Sequence, residues 1–447
     1  MRPAQGQPRT CCPTPDEKYY INSLQNDDAI AILQGMYRVR HLSDRLLKLV
    51  AAFPVVVVSG ARQVGKTTLV RHILKDWQYV VFDPARDVAG ARQDPDLFLR
   101  THATPLVLDE IQFAPELVAA IKRQVDARAG ANGQYVLTGS QQWQVLRHVA
   151  ESLAGRAVFL DLEGFSLAEQ AGRADPTPWL ASWLADPDAF AARPHRRLDL
   201  DRTVYEMLWR GALPRATLLE TELLPDFWDA YQRTYIERDA RLLADLADWQ
   251  QFGMFLRLLC ALTAQEINHS QLGREIGVTP QTAKRWLRIL QGTFQWYEVP
   301  AFGTNLVKRV SSKPKGYVAD TGLACHALQL SSAATLAGHP AYGALFETRV
   351  VAELRHQAAL LPGGAGFHHW RTAGGAEVDV VLERDGRYHP VEIKGTTTLG
   401  RRDCSAVHAF LDSYPRQSAS KGLIIAPVEE VQWLSDRVCA VPWDLAD

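Results

Sequence analysis

Short apolar runs separated by polar or glycine-rich segments organise the first third of the chain. The run Phe53–Val58 is rich in valine, and after it Leu69, Val70 and Ile73 recur at helical spacing. A continuous apolar run of this length is typical of a buried strand in a parallel sheet. An amphipathic helix within Met36–Val50 precedes the run. The pattern predicts a helix, a buried strand, a loop and a second helix.

Three further segments have the same apolar character and predict further strands. They are Tyr79–Asp83, Pro105–Gln112 and Gln134–Leu137. Together with the first run they predict an α/β fold class for this part of the chain.

The loop between the first strand and its helix has the residues of a phosphate-binding loop. These residues are Gly60, Ala61, Arg62, Gln63, Val64, Gly65, Lys66, Thr67 and Thr68. The glycines allow the backbone N–H groups to turn inward, and the start of the following helix favours negative charge. We expect Lys66 to reach the β- and γ-phosphates of ATP and Thr67 to hold Mg²⁺. A chance glycine-rich turn is the alternative, which the Lys-Thr pair and the strand–helix context disfavour.

The third apolar run ends in two acids, Asp109 and Glu110. This is the form of a Walker B element, in which Asp109 would hold the magnesium shell and Glu110 would polarise the attacking water. Acids at a strand end are also found simply solvated. On the neighbouring run, either Thr138 or Ser140 is predicted to face the γ-phosphate, with a helix-capping role for Ser140 as the alternative.

Composition excludes several classes of protein. Of the 447 residues, 47% are hydrophobic and 22% are charged, and the formal net charge is -1. About three domains are expected at this length, and any contact with DNA must come from a local basic patch. The six cysteines lack zinc-ligand spacing, and no apolar run could span a membrane. A cytoplasmic protein with no membrane partner is expected.

The segment 251–335 has the pattern of a helix-turn-helix unit. Three helices are predicted, the last capped by Thr279 with Pro280 at its first position. Lys284 and Arg288 lie four residues apart on one face of that helix. The unit resembles a winged helix that contacts DNA, and a module that only packs against other parts of the protein is the alternative.

Charged residues interrupt apolar strands in the last part of the chain. Asp379 lies between two valines, and Glu392 and Lys394 alternate with apolar residues after Asp385–Gly386. Glu347 lies on a preceding helix and points along its buried edge. Because buried charges must be paired, we predict a divalent ion (Mg²⁺, or Mn²⁺ in this domain) held by the three carboxylates, with Lys394 as a catalytic residue beside the attacking water. A solvated face of the sheet is the alternative.

Four motifs together resemble the prokaryotic AAA-type P-loop ATPases that carry a C-terminal domain of unknown function. They are Gly60–Thr68, Asp109–Gln112, Leu137–Ser140 and Leu153–Arg156. The resemblance implies an ATPase and extends over nearly the whole chain from Met36, including Tyr231–Asp239 and Tyr317–Leu323. Arg156 matches the Gly-Arg pair of this family, which implies either a finger on the γ-phosphate or a surface arginine in a turn.

The pattern of a helical glutamate, an aspartate and Glu-x-Lys is similar to the restriction-endonuclease-like nucleases, Holliday junction resolvases in particular. Two hypotheses follow. In the first, an ATP-hydrolysing protein is coupled to a nucleic-acid-binding, metal-dependent nuclease domain. In the second, an ATP-gated regulatory or scaffolding protein carries a nuclease-like domain that is catalytically inactive and only binds.

These interpretations give a domain plan. Residues 1–35 are predicted to be a disordered or dispensable tail, 36–165 the P-loop ATPase domain, 166–250 a helical lid or connector, 251–335 the winged-helix-like unit, and 341–447 the nuclease-like α/β domain. Residues Ser311–Gly316 are predicted to be a linker. The expected partners are ATP, DNA, and either further copies of the chain or another protein.

Overall fold

The first sheet of the structure contains five strands. The structure is a computed structural model that describes residues 37–140, 153–173, 178–233, 249–303 and 312–446, so the predicted tail 1–35 lies outside the described residues. The strands are β1 (Val55–Ser59), β2 (Gln78–Val81), β3 (Leu106–Asp109), β4 (Tyr135–Gly139) and β5 (Ala157–Asp161). They are parallel and follow the order β2-β3-β4-β1-β5, so their carboxyl ends meet at one edge of the sheet.

The valines of β1 are buried because both faces of this sheet are covered. Val56 and Val58 join one hydrophobic cluster, and Val55 and Val57 join another on the opposite face. The covering helices are α1 (Ser43–Ala52), α2 (Lys66–Ile73), α3 (Pro95–Thr101) and α4 (Leu117–Ala127). Short 3-10 helices cover Val88–Gly90, Ile111–Phe113, Thr221–Leu223 and Arg401–Cys404.

A helical region follows the first sheet. Its helices are α5 (Leu167–Gln170), α6 (Trp179–Ala185), α7 (Pro187–Ala192), α8 (Val204–Arg210), α9 (Pro214–Leu218), α10 (Leu224–Tyr231), α11 (Trp249–Ala261), α12 (His269–Glu275) and α13 (Pro280–Gly292). A three-stranded antiparallel sheet in the order β6-β8-β7 adjoins the last three helices. It consists of β6 (Gln265–Glu266), β7 (Trp296–Val299) and β8 (Lys315–Val318).

The last part of the chain is a mixed six-stranded sheet with helices. The elements are α14 (Thr321–Ala327), α15 (Ala333–Ala337), α16 (Tyr342–Leu360), β9 (Gly366–Arg371), β10 (Glu377–Arg384), β11 (Arg387–Ile393), α17 (Ser405–Ser413), β12 (Gly422–Ala426), β13 (Gln432–Trp433) and β14 (Val438–Pro442). The strand order is β13-β14-β12-β11-β10-β9, in which β9, β10 and β11 are antiparallel and β12 joins β11 in parallel. None of the helices that the structure describes is long and apolar enough to cross a membrane.

One sequence prediction about the connections is wrong. Lys315 and Gly316, predicted to be part of a linker, are buried residues of β8 and pair with β6 and β7. Gly316 is required there because an added Cβ would lie 2.0 Å from the Trp296 ring. The charged and glycine-rich composition of the segment concealed a strand.

A buried aspartate joins this strand region to the helices beside the phosphate-binding loop. The Asp320 carboxylate accepts hydrogen bonds from the backbone N–H groups of Ala212 (2.8 Å), Leu213 (3.0 Å) and Gly322 (2.8 Å). Gly211 has a φ of 84° and lies close to this carboxylate. A Cβ added at Gly211 would be 1.9 Å from Asp320 Oδ1. Asp320 therefore caps α14 and also fixes the turn that begins α9.

We expect Asp320→Ala to lower the free energy of unfolding by about 3 kcal/mol, because three buried N–H groups lose their acceptor. Urea unfolding of the full chain measures this loss. Asp320→Asn keeps one acceptor oxygen and should lose less, and replacing the exposed Glu430 by alanine is the control. Equal stability of the Asp320→Ala variant and the control would contradict the capping role.

Candidate functional site

The predicted phosphate-binding loop lies at the carboxyl end of β1, and α2 begins within it at Lys66. Two glycines have backbone conformations that side chains disfavour: φ is 149° at Gly60 and 95° at Gly65. An added Cβ at Gly60 would lie 2.1 Å from the Leu162 carbonyl oxygen, so the segment after β5 packs directly on the loop. The loop conformation therefore depends on glycine at both positions.

The Lys66 side chain is 5% exposed and curls along the loop. Its ammonium donates hydrogen bonds to the carbonyl oxygens of Gly60 (2.9 Å) and Ala61 (2.8 Å). A positive charge is thus held at the start of α2, where backbone N–H groups and the helix dipole also favour an anion.

Asp109 is the centre of a set of hydroxyl contacts below the loop. Its carboxylate accepts a hydrogen bond from Thr67 Oγ1 at 2.8 Å and further hydrogen bonds from Tyr79 and Thr138. Burial and the negative charge of Asp109 raise the pKa of Tyr79, so its hydroxyl stays protonated as a donor. The structure brings together Thr67 and Asp109, the two residues predicted to hold Mg²⁺, and hydroxyl and carboxylate oxygens fit that ion.

Glu110 follows Asp109 in a left-handed conformation, with φ of 58°. Its carboxylate accepts a hydrogen bond from the Gln112 amide, which also contacts Ser140 Oγ at 3.3 Å. Its backbone N–H donates to Thr138 Oγ1 at 3.2 Å. Both candidate sensors therefore lie beside the acidic pair, and the helix that Ser140 was predicted to start lies outside the described residues.

Arg156 does not lie near the loop in this chain. It directly precedes β5 and its carbonyl oxygen accepts from Val55 N at 3.2 Å, which places it at the amino edge of the sheet. The length of β5 separates it from the loop by roughly 16 Å. Its guanidinium pairs with Asp126 instead. The prediction of a finger on the phosphates of its own chain is therefore corrected, because the side chain cannot span that distance.

Arg40 is a further residue of this site and is buried next to the loop. Its guanidinium donates to the carbonyl oxygens of Val64 (2.7 Å), Glu163 (2.7 Å) and Gly164 (3.1 Å), and its Nε lies 3.0 Å from Glu169 Oε1. These contacts tie the phosphate-binding loop to the segment after β5. No motif marks Arg40, since it lies in a polar stretch before α1.

The same segment after β5 contacts the long helix α16. Glu163 forms an ion pair with Arg355, and the Leu167 N–H donates to Glu353 Oε2 at 2.9 Å. Burial acts to raise the pKa of Glu163, but the charges of Arg355, His356 and Arg349 and the hydrogen bond from Arg355 together hold the pKa below its usual range. Helix α16 is thus joined by charged contacts to the segment that packs on the loop.

The predicted acidic residues of the C-terminal part meet in one cleft of about 860 Å³. Glu347 comes from α16, Asp379 from β10 and Glu392 from β11, and all three line the cleft with Lys394. Lys394 Nζ donates to Glu392 Oε1 at 2.6 Å. The Ile393 N–H donates to Asp379 Oδ2 at 2.9 Å. The structure therefore gathers all four predicted residues.

A second lysine, Lys315 of the predicted linker, lines this cleft and belongs to β8. Lys315 is 3% exposed, and its Nζ lies 2.7 Å from Glu347 Oε1, 2.9 Å from Asp379 Oδ1 and 3.2 Å from Glu377 Oε1. Tyr317, two residues further along β8, donates to Glu347 Oε1 at 2.7 Å. The alternation of β8 directs both side chains to the same cluster.

This arrangement differs from the predicted metal site in the cation that it contains. Among the residues that the structure describes, no group of three or more acidic, histidine or cysteine side chains is placed to hold a metal ion. Glu347 and Asp379 instead share the ammonium of Lys315. With this ammonium between them, the carboxylates as they stand do not fit Mg²⁺ or Mn²⁺.

Two carboxyl groups of the cleft, those of Glu347 and Glu392, have raised pKa values because their ionised forms are disfavoured. Burial and the charge of Asp379 raise the pKa of Glu347 to about 8, against the opposing effect of Lys315. The same two causes raise the pKa of Glu392 to about 8, against the opposing effect of Lys394. The cleft therefore favours added positive charge.

Helices α12 and α13 lie where the helix-turn-helix pattern predicts them. Thr279 caps α13 by accepting a hydrogen bond from the Thr282 N–H at 3.1 Å. Lys284 and Arg288 are exposed, as is Arg285, while Trp286 is buried in the core. The exposed face of α13 is thus a small basic surface, and its apolar face holds the unit together.

Family models match three successive parts of the chain. Residues 52–171 match a model described as an AAA domain. Residues 201–334 match a domain of unknown function (DUF8612), and residues 342–446 match another (DUF4143). The parallel sheet, the glycine loop and the first match define an AAA-type P-loop ATPase domain in this chain.

Relatives cover most of the chain. Uncharacterized proteins of Mycobacterium tuberculosis and Mycobacterium bovis are each 29% identical over 406 residues, which is 91% of this chain and 83% of the relative. Among solved structures, a Walker-type ATPase of Pyrococcus abyssi covers 64% of this chain and 94% of its own, at 15% identity and a TM-score of 0.39. The Thermotoga maritima RuvB Holliday junction branch migration motor covers 59% of this chain and 90% of its own, at 16% identity and a TM-score of 0.30. These TM-scores are too low to support an inference about function.

We expect Glu110→Gln to slow ATP hydrolysis by about 100-fold or more, because it removes the carboxylate predicted to polarise water. ATP binding should persist because the loop is untouched, whereas Lys66→Ala should lose binding or hydrolysis. Phosphate release and the titration of a fluorescent ATP analogue measure the two effects separately.

The matched control is Glu116→Gln, which changes an exposed glutamate shortly before α4. It should hydrolyse ATP at the wild-type rate. A Glu110→Gln protein that hydrolyses ATP as fast as this control would remove Glu110 from the proposed chemistry.

Proposed function

We propose that this protein is an ATP-hydrolysing switch that binds DNA and whose C-terminal cleft serves binding or regulation in the arrangement described above. The observation that carries the ATPase part is the contact between Thr67 and Asp109 directly below the phosphate-binding loop. A loop lysine, a hydroxyl and a strand-end carboxylate are the parts that phosphoryl transfer requires for positioning phosphates and Mg²⁺. In this proposal Thr67 and Asp109 would hold Mg²⁺, which would supply positive charge for the phosphates, and Glu110 would orient the water.

Helix α16 supports the idea that the nucleotide site acts on the C-terminal part. Arg355 on this helix pairs with Glu163, and Glu347 on the same helix lines the acidic cleft. Arg40 joins Glu163 to Val64 in the loop through backbone carbonyls. A change in the loop that moves the segment after β5 therefore has direct contacts through which to move α16.

The exposed basic face of α13 supports DNA as the partner. Lys284, Arg285 and Arg288 are exposed on one turn-and-a-half of this helix, close enough together to contact neighbouring phosphates. Since the net charge of the chain is -1, the attraction to DNA is local to this surface.

Replacing Lys284 and Arg288 together by alanine should weaken binding to duplex DNA and reduce the slope of log K against log salt by about 2, because two phosphate contacts are lost. Fluorescence anisotropy at several salt concentrations, with ATP and with ADP, measures both quantities. A double variant of the exposed Lys48 and Arg100 is the charge-matched control. Identical slopes for the two variants would exclude α13 as the DNA-binding element.

Metal-dependent nuclease activity is a second candidate, for a state of the protein in which the Lys315 ammonium has left the cleft where Glu347, Asp379, Glu392 and Lys394 converge. If it is correct, the full chain should cut linear, nicked or branched DNA with Mg²⁺ or Mn²⁺, and Asp379→Ala should abolish the cutting. Gel analysis of the three substrates, with and without ATP, is the measurement. Cutting by wild type and Asp379→Ala at equal rates would point to a contaminant, and no cutting at all would leave a cleft used for binding.

A further inference from the structure

Carboxylates of the C-terminal cleft form ion pairs with a lysine from a different part of the chain. The Lys315 ammonium has three N–H donors, and three carboxylate oxygens lie within 3.2 Å of it, one each from Glu347, Asp379 and Glu377. The donors and acceptors are equal in number, and the ammonium is almost completely removed from solvent.

Strand β8 holds this lysine firmly in position. Its backbone pairs with β6 on one side and with β7 on the other. Gly316 leaves no room for a side chain against Trp296, and the Tyr317 ring stacks on Tyr297 with ring centroids 5.4 Å apart. The ammonium therefore belongs to a residue of a strand that is hydrogen-bonded on both edges.

The cleft also retains an unused acceptor. Glu392 is 6% exposed, and its Oε1 accepts from Lys394. Its Oε2 atom has no hydrogen-bond partner among the residues that the structure describes. A buried carboxylate oxygen without a partner is costly, so the cleft is built to accept one more donor or cation at this point.

We propose that Lys315 takes the place of a divalent cation in this cleft, and that Mg²⁺ or Mn²⁺ binds Glu347, Asp379 and Glu392 only when the ammonium is removed. A divalent ion placed at these carboxylates would lie next to the ammonium, and like charges at such short distance repel strongly. The Lys315 ammonium thus occupies the metal site and keeps a divalent ion out of it.

The test uses the full chain without nucleotide and measures Mn²⁺ binding by electron paramagnetic resonance. Wild type and Asp379→Ala should bind equal amounts of Mn²⁺, because the cleft is closed in both. Lys315→Met removes the charge at similar length and should bind one additional Mn²⁺ at least about tenfold more tightly than wild type. Adding Asp379→Ala to Lys315→Met should abolish that gain.

Lys315→Arg is the matched control, because it retains the positive charge and should bind no additional Mn²⁺. Thermal unfolding gives an independent measurement. Lys315→Met leaves buried carboxylates without their cation and should have a lowered Tm, which Mn²⁺ should raise by mass action. Mn²⁺ should shift the Tm of wild type and of Asp379→Ala by equal amounts.

Two results would overturn the proposal. One is a wild-type protein that binds one more Mn²⁺ than Asp379→Ala, a comparison that does not depend on how well Lys315→Met folds. The other is a Lys315→Met protein with wild-type circular dichroism that binds no additional Mn²⁺. Because neither ATP nor DNA is present, both results leave the proposed ATPase and DNA-binding functions untouched.

Discussion

The burial of charged side chains along α16 is the constraint on which the arrangement of the chain depends. Removing one partner of a buried ion pair leaves an uncompensated charge, which costs several kcal/mol. Glu347 on α16 must therefore meet Lys315. Arg355, two turns later, is about one third exposed and pairs with Glu163. These two ion pairs hold α16 between the segment after β5 and the strand β8.

The segment after β5 links this constraint to the phosphate-binding loop. It packs so closely on Gly60 that only glycine is tolerated there, and its backbone carbonyls are held by Arg40 together with that of Val64. The loop, the segment and α16 are thus in continuous contact. Such continuity is what a protein needs if hydrolysis at one site is to change the geometry at another.

The buried aspartates Asp109 and Asp379 have different kinds of hydrogen-bond partner. Around Asp109 the partners are the hydroxyls of Thr67, Tyr79 and Thr138, which satisfy hydrogen bonds but leave the negative charge available to Mg²⁺. Around Asp379 the partner is the ammonium of Lys315, which supplies the positive charge itself. The same residue type therefore keeps its negative charge uncompensated at one site and is paired with an ammonium at the other.

Local sequence was sufficient to predict the features that depend on residues close together in the chain. The valine run, the glycine loop with Lys66 and Thr67, and the cap of α13 at Thr279 depend on contacts a few residues apart, so they could be predicted from the sequence. The predicted loop residues and the Asp109–Glu110 pair were likewise expected to meet, because parallel strands end at one edge of a sheet.

Only the tertiary structure decided which charged residues, distant from one another in the sequence, come into contact. The motif that contains Arg156 predicted a contact with the phosphates. Arg156 precedes β5, however, and so lies at the opposite edge of the sheet from the loop. Arg40 and Lys315 have no local pattern, because their partners lie more than twenty residues away along the chain. The sequence by itself predicted a cation at Glu347, Asp379 and Glu392, with a solvated face as the alternative. For Glu347 and Asp379, the position of β8 decided that the cation is Lys315, since a buried charge is paired by whichever opposite charge the fold brings within reach.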